Sequence, residues 1–543
     1  MKRVLTLLGV LTAGVGLVSA QESHQHAGGT ARLGKVHFPV SCAVQAQQPF
    51  KRALALLHSF EYEESAKAFQ QAVAADPGCA MGHWGVAMTY YHPLWAPPDP
   101  KELAEGHAAI EKAAAAGPKT DRERAYVAAL GAFYRDWRTQ SHRSRALAYE
   151  KAMEELHRNF PDDAEAAIFY TLALNGTLDP TDKTYANQRK AGAILEPLFR
   201  QQPDHPGIAH YLIHSYDFPG LAAGALDAAR RYAGIAPESP HALHMPSHIF
   251  TRLGLWEECR RSNIAAARAG RNYSRTHFPG AAWSEQLHAM DYLVYAYLQT
   301  GRDREAKGVL DELSTVSKAA PADFKAAHTF AASPVRYVLE RGKFAEAAKL
   351  SLAPASFLWG RFPWAAAIVS FAQTIGAARS GDLQGARTNL EKLDVLASQV
   401  KERGQLDWQS ATDTLRQAAQ AWVEHAGGND SEALRLARAA ADLEDSTEKH
   451  PVTPGPVLPA RELLADLLLE LKQPQAALTE YEKSLGSAPN RFYALLGAAR
   501  AARQAGQSQK ARVHYAALLR VIGNSRDRAA ETGEARAFVA GGR

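Results

Sequence analysis

Apolar residues recur along this chain at helical spacing, three and four apart, in short stretches that come in pairs. The break between paired stretches repeatedly carries a glycine, with a small residue five positions later. The pairs are Gly220/Ala225, Gly254/Cys259, Gly301/Ala306, Gly342/Ala347, Gly381/Ala386, Gly428/Ala433 and Gly506/Ala511. The glycine marks a turn, and the small residue marks a place where two helices must approach closely. Proline closes several second stretches, at Pro77, Pro161, Pro203, Pro237 and Pro489. It stops a helix because it has no N–H to give and clashes with the preceding turn. The pattern predicts an all-α chain of helical hairpins.

The punctuation resembles the tetratricopeptide (TPR) repeat family, with a period of about 34 residues and Ala-x3-Phe/Tyr followed by Pro. Ala477 and Tyr481, then Ala511 and Tyr515, repeat at that offset. Tyr62, Phe69 and Pro77 fit an early copy, and Trp84 opens the next. About twelve hairpins fit between Ala53 and the C-terminus. The resemblance implies an α-solenoid superhelix whose first helices line a concave groove. In that family the groove grips an extended peptide or a partner's tail, an expectation carried by analogy of fold. The stretches 76–85, 241–250 and 450–459 resemble signatures of a family of exported bacterial TPR proteins, which implies architecture and export but no activity.

The chain has 543 residues, too long for one compact core and suited to a linear array. Apolar residues make up 46% of it, which excludes disorder. The formal charge is +5 with scattered cations, so no basic block marks a nucleic-acid partner. Met1-Lys2-Arg3, an apolar run from Val4 to Val18 and Ser19-Ala20-Gln21 read as a secretory signal peptide. No other run is long and apolar enough to cross a membrane. A periplasmic or secreted protein starting near Gln21 is expected. The segments are a signal peptide at 1–20, a polar N-terminal segment at 21–50 and the solenoid with groove histidines at 51–445. A Pro-rich insertion follows at 446–460, then C-terminal repeats at 461–525 and a tail at 526–543. Cys42 and Cys79 can pair in an oxidising compartment, which leaves Cys259 over.

Histidines carry the candidate chemistry. His210 and His214 are four apart, as are His244 and His248, and the two pairs are offset by 34 residues. Counted back from Gly220 and Gly254, they occupy equivalent places on first helices. Residues four apart share a helix face, with Cβ atoms about 5–6 Å apart. Packed axes lie about 8–10 Å apart. The four imidazoles should therefore form a quadrilateral converging on one cation. The column extends to His241, and in the next repeat His288 and Asp291 take the places of His241 and His244. Tyr295 takes that of His248, and Arg336 that place one repeat further on. Asp291, Tyr295 and Arg336 are thus expected on a ligand-binding groove wall. Pro246 disturbs the spacing: a helix starting near Met245 would leave His241 and His244 on the incoming loop.

Imidazole ligates Zn, Cu, Ni and Fe, and with no thiolate nearby Cu(II) or Zn comes first. If three histidines bind, an open position permits Lewis-acid or hydroxide chemistry, with Asp291, Glu285 or Asp217 as orienting group or base. The same histidines also read as groove residues that bond a peptide. His58, His107, His142, His157 and His425 read as surface or packing residues. The segment from His450 to Pro459 either caps the groove or links two hairpins. Three readings stand: a scaffold binding a protein or peptide in the groove, a Cu- or Zn-dependent enzyme, and an assembly role through the convex face. No phosphate loop, nucleophile elbow or thiol-protease signature appears.

Overall fold

The computed structural model describes residues 32–94, 97–179 and 181–541. The leader read at 1–20 lies outside these residues. Helix follows helix, and the two short strands Ala282–Trp283 and Ala319–Ala320 pair in parallel between hairpins. The hairpins are Val44–His58 with Tyr62–Ala75, Ala80–Met88 with Pro100–Ala115, Asp121–Tyr134 with His142–Asn159, and Ala164–Gly176 with Ala186–Gln201. Next come Pro206–Tyr216 with Leu226–Ile235, Pro240–His244 and Pro246–Arg252 with Trp256–His277, Ser284–Gln299 with Asp303–Ser314, and Phe324–Leu339 with the short Phe344–Ala347. Pro363–Arg379 with Leu383–Glu402, Leu406–Ala426 with Asp430–Ser446, Ala460–Glu470 with Pro474–Ser487, and Phe492–Gln504 with Ser508–Ile522 complete the array. The chain is an all-α solenoid of TPR-like hairpins.

The local rules hold where they were read. Each small residue of the glycine pairs is buried at 0% exposure, so the close helix approach is real. Gly254 and Gly301 both turn the chain with φ of +63°, a left-handed conformation that costs glycine least. Second helices end at Ala75, Asn159, Gln201, Ile235 and Ser487, each two residues before its proline. The first helix begins at Val44, inside the stretch read as a polar arm, and the stretch read as a tail carries helix Ala529–Ala540. Ahead of Val44, Phe38 packs its ring among Phe50, Trp84 and Tyr126. Single anchors of that kind leave no period to read.

The superhelix winds tightly enough to close on itself. The first hairpin lies against the fifth and the start of the sixth, where the Tyr232 hydroxyl donates to Ser59 Oγ at 3.2 Å and Ser239 Oγ donates to Glu61 at 2.6 Å. The last repeats return to the middle ones. Trp256 Nε1 donates to the Asn490 carbonyl at 2.7 Å, and a Cβ on Gly254 would meet the Pro489 carbonyl at 2.3 Å. Arg491, buried at 0% exposure, pairs with Glu340 at 2.7 Å and Glu462 at 2.6 Å. Charges so placed repay their desolvation only because each guanidinium arm is bonded.

The Pro-rich segment lies across the inner face. Lys449 Nζ sits 3.1 Å from Asp217, and Glu448 accepts from Lys183 at 2.7 Å. His450 stacks on Trp408 at 4.2 Å, and the Gly455 carbonyl accepts from Arg336 at 2.6 Å. A second chain segment therefore fills part of the groove.

Candidate metal centre

Helix Pro206–Tyr216 is buried along its whole length, so each of its polar side chains must find a partner inside. Pro206 suits its first turn, and His205 caps it by accepting from Ile208 N–H at 3.3 Å. One repeat on, Met245 joins Pro240–His244 to Pro246–Arg252 with φ −50° and ψ −36°, so the chain stays helical across Pro246. His241 and His244 are thus on the short helix Pro240–His244, which runs through Met245 into Pro246–Arg252, and not on an incoming loop.

The two histidine pairs do not converge on one cation. They form two sets, His210/His214/His241 and His244/His248/His288, and in each set one ligand atom per residue lies within 4.8 Å of the others. Each pair takes its third imidazole from the following first helix, because that helix is offset along its axis by about a turn. Nε2 of His210 lies 3.0 Å from Nε2 of His214 and 3.2 Å from Nε2 of His241. Nε2 of His244 lies 3.2 Å from Nε2 of His248, and the His288 ring centroid lies 4.2 Å from that of His244. None of the six is more than 8% exposed, so they line an enclosed space, not an open groove wall.

Outward partners fix the proton positions. His210 Nδ1 lies 2.6 Å from the His58 carbonyl, which can only accept, so the proton is on Nδ1. His244 Nδ1 lies 2.6 Å from Asn263 Oδ1. Asn263 Nδ2 donates to the Cys259 carbonyl at 2.8 Å, which fixes that amide with its oxygen toward His244. His248 Nδ1 lies 3.0 Å from Asp217 Oδ2, the carboxylate–histidine arrangement that orients metal ligands. Burial would raise Asp217, but Lys449, Arg252 and His248 hold it well below the usual carboxylate range. All three Nε2 atoms thus present lone pairs inward. Burial, reinforced by neighbouring imidazoles, pushes His210, His214, His244 and His288 well below the usual histidine range, and burial also lowers His248.

Aromatic rings wall the space. Phe60, at φ 55°, a strained value for a bulky residue, places its ring 4.4 Å from His210. Tyr292 packs 4.7 Å from the His244 ring, with its hydroxyl 3.4 Å from His248 Nε2.

A third buried group, His58, Glu165 and His205, has ligand-like spacing but different chemistry. His205 Nδ1 accepts from a backbone N–H, so its proton is on Nε2 and goes to Glu165 Oε1 at 3.0 Å. His58 Nε2 lies 2.9 Å from the other carboxylate oxygen. Both oxygens are spent on imidazoles, and the group is a hydrogen-bonded relay. Gly207 makes room for it, since a Cβ there would meet His58 Nδ1 at 2.4 Å. His58 is therefore a buried partner, not a surface residue.

The residues expected on the groove wall bond each other. Asp291 takes Arg336 Nη1 at 2.5 Å and has His328 Nδ1 at 3.3 Å. The Arg336 guanidinium lies over the Tyr295 ring at 5.1 Å, and the Tyr295 hydroxyl accepts from Arg491 at 2.7 Å. Asp291, Tyr295 and Arg336 are each no more than 2% exposed. Of the three acids considered as base or orienting group, Asp217 orients His248, Glu285 pairs with Lys325 and lies 3.7 Å from His241, and Asp291 serves Arg336. The arrangement suits cation binding and Lewis-acid polarisation more directly than proton abstraction. Cys42 and Cys79 form a disulfide, and Cys259 is buried. No described helix is long and apolar enough to cross a membrane.

Sequence reasoning missed His58, Phe60, His205, Asn263 and Tyr292. Asn263 and Tyr292 lie within two repeats of the pairs, but nothing in their local pattern separates them from packing residues.

Neither a protein-family model nor a curated protein sequence matches the chain. Among solved structures, the human IFIT1 dimer with m7Gppp-AAAA aligns over 82% of this chain and 90% of its own, at 12% identity and a TM-score of 0.37. The APC/C hetero-tetramer Cut9–Hcn1 aligns over 91% and 96%, at 13% identity and a TM-score of 0.28. At those scores the likeness adds nothing to the hairpin architecture described above.

Proposed function

We propose that this solenoid is an exported metal-binding protein, with a histidine centre for Cu or Zn clamped between successive repeats. The observation that carries the reading is the His244–His248 contact. Both rings give their Nδ1 protons outward, so two lone pairs face each other at 3.2 Å. Such a contact needs positive charge between the nitrogens. A proton would create an imidazolium in a buried site, which burial opposes. A metal cation supplies the charge with neutral ligands, the form in which imidazole ligates. Three nitrogens per cation leave a position open for a small molecule, so Lewis-acid chemistry is the catalytic reading of the same centre. Export is supported by the Cys42–Cys79 bond, which suits an oxidising compartment.

The peptide-scaffold reading is second. At the level of Tyr295 and Arg336 the chain's own 447–459 segment takes the groove, and a cleft of about 510 Å³ beside Trp256, Arg302 and Asn490 is one place where a partner would fit. Metal content settles the first reading. Protein purified from its native compartment, washed free of loose ions and measured by plasma mass spectrometry should carry Cu or Zn. The His244→Ala/His248→Ala double variant should carry less. Metal-free wild-type protein that also takes up neither ion from solution would end the proposal.

A further inference from the structure

The two histidine sets are the same device one repeat apart, and they share a wall. The His214 and His248 rings are 6.2 Å apart between centroids, and those of His241 and His244 are 6.5 Å apart. Six neutral imidazoles bring no charge to balance two divalent cations. Of the carboxyl groups nearby, Asp217 is matched by Arg252 and Lys449 and Glu285 by Lys325, while Glu61, bonded to Ser239, is raised by burial and carries at most one charge. Positive charge of that size, buried and uncompensated, is costly.

We propose that the two sets act as one dinuclear centre whose two cations share a small inorganic anion, hydroxide or one of similar size, as bridging ligand. The inference rests on the metal reading above and adds to it a stoichiometry and a ligand class. Enclosure sets the ligand's size, because Phe60 closes the first set and Tyr292 the second. The third group takes no part, since Glu165 already holds the protons of its imidazoles. Three imidazoles per set would leave each cation a position for the shared anion.

The test uses Cu(II) as probe on the full chain, stripped with a chelator, reloaded and desalted. Copper per chain, the integrated electron paramagnetic resonance signal and the response to azide are then read together. The expected result is two coppers per chain, a spin count well below two because the ions are coupled, and one azide bound per copper pair. His288→Gln should hold one copper with the full signal of an isolated ion, and His241→Gln should do the same from the other side. One copper per wild-type chain, two coppers with the full spin of independent ions, or a coupled pair whose spectrum azide does not move would each overturn the bridged pair and leave the metal reading standing. Absence of bound copper would overturn both.

Discussion

Successive levels of one repeat column solve the same electrostatic problem in two ways. At the histidine levels, buried imidazoles of successive first helices bring Nε2 atoms to 3.0–3.2 Å of one another. One repeat on, Asp291 and Tyr295 stand in the places of His244 and His248, with His328 beside them. There the guanidinium of Arg336 fills the position, 2.5 Å from Asp291 and over the Tyr295 ring. A repeat array presents the same face geometry at each step. On the metal reading proposed above, side-chain identity decides whether the cation is recruited from solution or built in.

The largest effect expected from that difference is metal-dependent stability. A cation bound only to the folded state adds about 2.7 kcal/mol when free metal is a hundredfold above its dissociation constant, so two sites add about 5 kcal/mol. Chelation should lower the melting temperature and Zn or Cu should restore it. His214→Ala and His248→Ala should each remove the contribution of one set. His425→Ala should leave the shift intact, because His425 is bonded to Asp430 and Glu470 away from both sets. A melting curve indifferent to chelator and metal would erase the contrast between levels.

The built-in cation should behave in the opposite way. Removing one partner of a buried ion pair costs about 3–5 kcal/mol, because the other charge is left uncompensated. Arg336→Ala should therefore lower denaturant stability by that much, in the presence or absence of chelator, while copper uptake per chain stays unchanged. A loss of copper in this variant would mean that the levels are coupled and not independent copies.

How much of this was legible follows from what periodicity carries. The hairpins were, because Gly254, Cys259 and their counterparts repeat a local rule that the structure obeys at each copy. The histidine column was legible too, down to His241 and His288 as extra members. What periodicity does not carry is direction. The axial offset between successive first helices, which sets His241 and not His244 beside His210, splits the expected quadrilateral into two sets. Superhelical closure is equally silent, since no local signal says that Asn490 will meet Trp256 or that Lys449 will reach Asp217. The capping alternative for the segment from His450 to Pro459 is the one the structure takes, but Phe60 and His58 gave no hint that they lie against residues some 150 positions away.

A smaller effect tests the second set alone. Asp217 fixes His248 through Nδ1, and loss of such an outer partner typically costs about 10–100-fold in metal affinity. Asp217→Asn should weaken one of two copper sites by that factor and leave the other unchanged, read as a split of a single titration into two phases. Uniform weakening of both would show that Asp217 acts on the fold, through Arg252 and Lys449, and not on one ligand.

The smallest effect, counted per residue, is the pH slope of the metal-free protein, and it separates the two levels by window. Buried histidines held below their usual range stay neutral in the folded chain, whereas the unfolded chain protonates them near 6.5. The unfolded state then binds more protons, so stability is full above about 6.5 and falls as pH drops, by about 1.4 kcal/mol per pH unit for each such histidine. His328, lowered by burial, adds one more residue to this window. Glu61, raised by burial to about 7, and Glu444, raised by burial to about 8, act the other way, since the folded chain holds their protons from the usual carboxyl range upward. The histidines outnumber them, so the net slope below 6.5 should be a loss of stability. Asp291 belongs to a different window. Burial would raise it, but Arg336 holds it at about 2, so its share is present above about 3.8 and is lost only as pH falls toward 2. Denaturant midpoints measured across pH should therefore show a loss setting in near 6.5 that saturating Zn displaces to lower pH, and a further loss below about 3.8 that Zn does not displace. A single metal-insensitive loss confined to the lower window would show that the histidines are not held neutral.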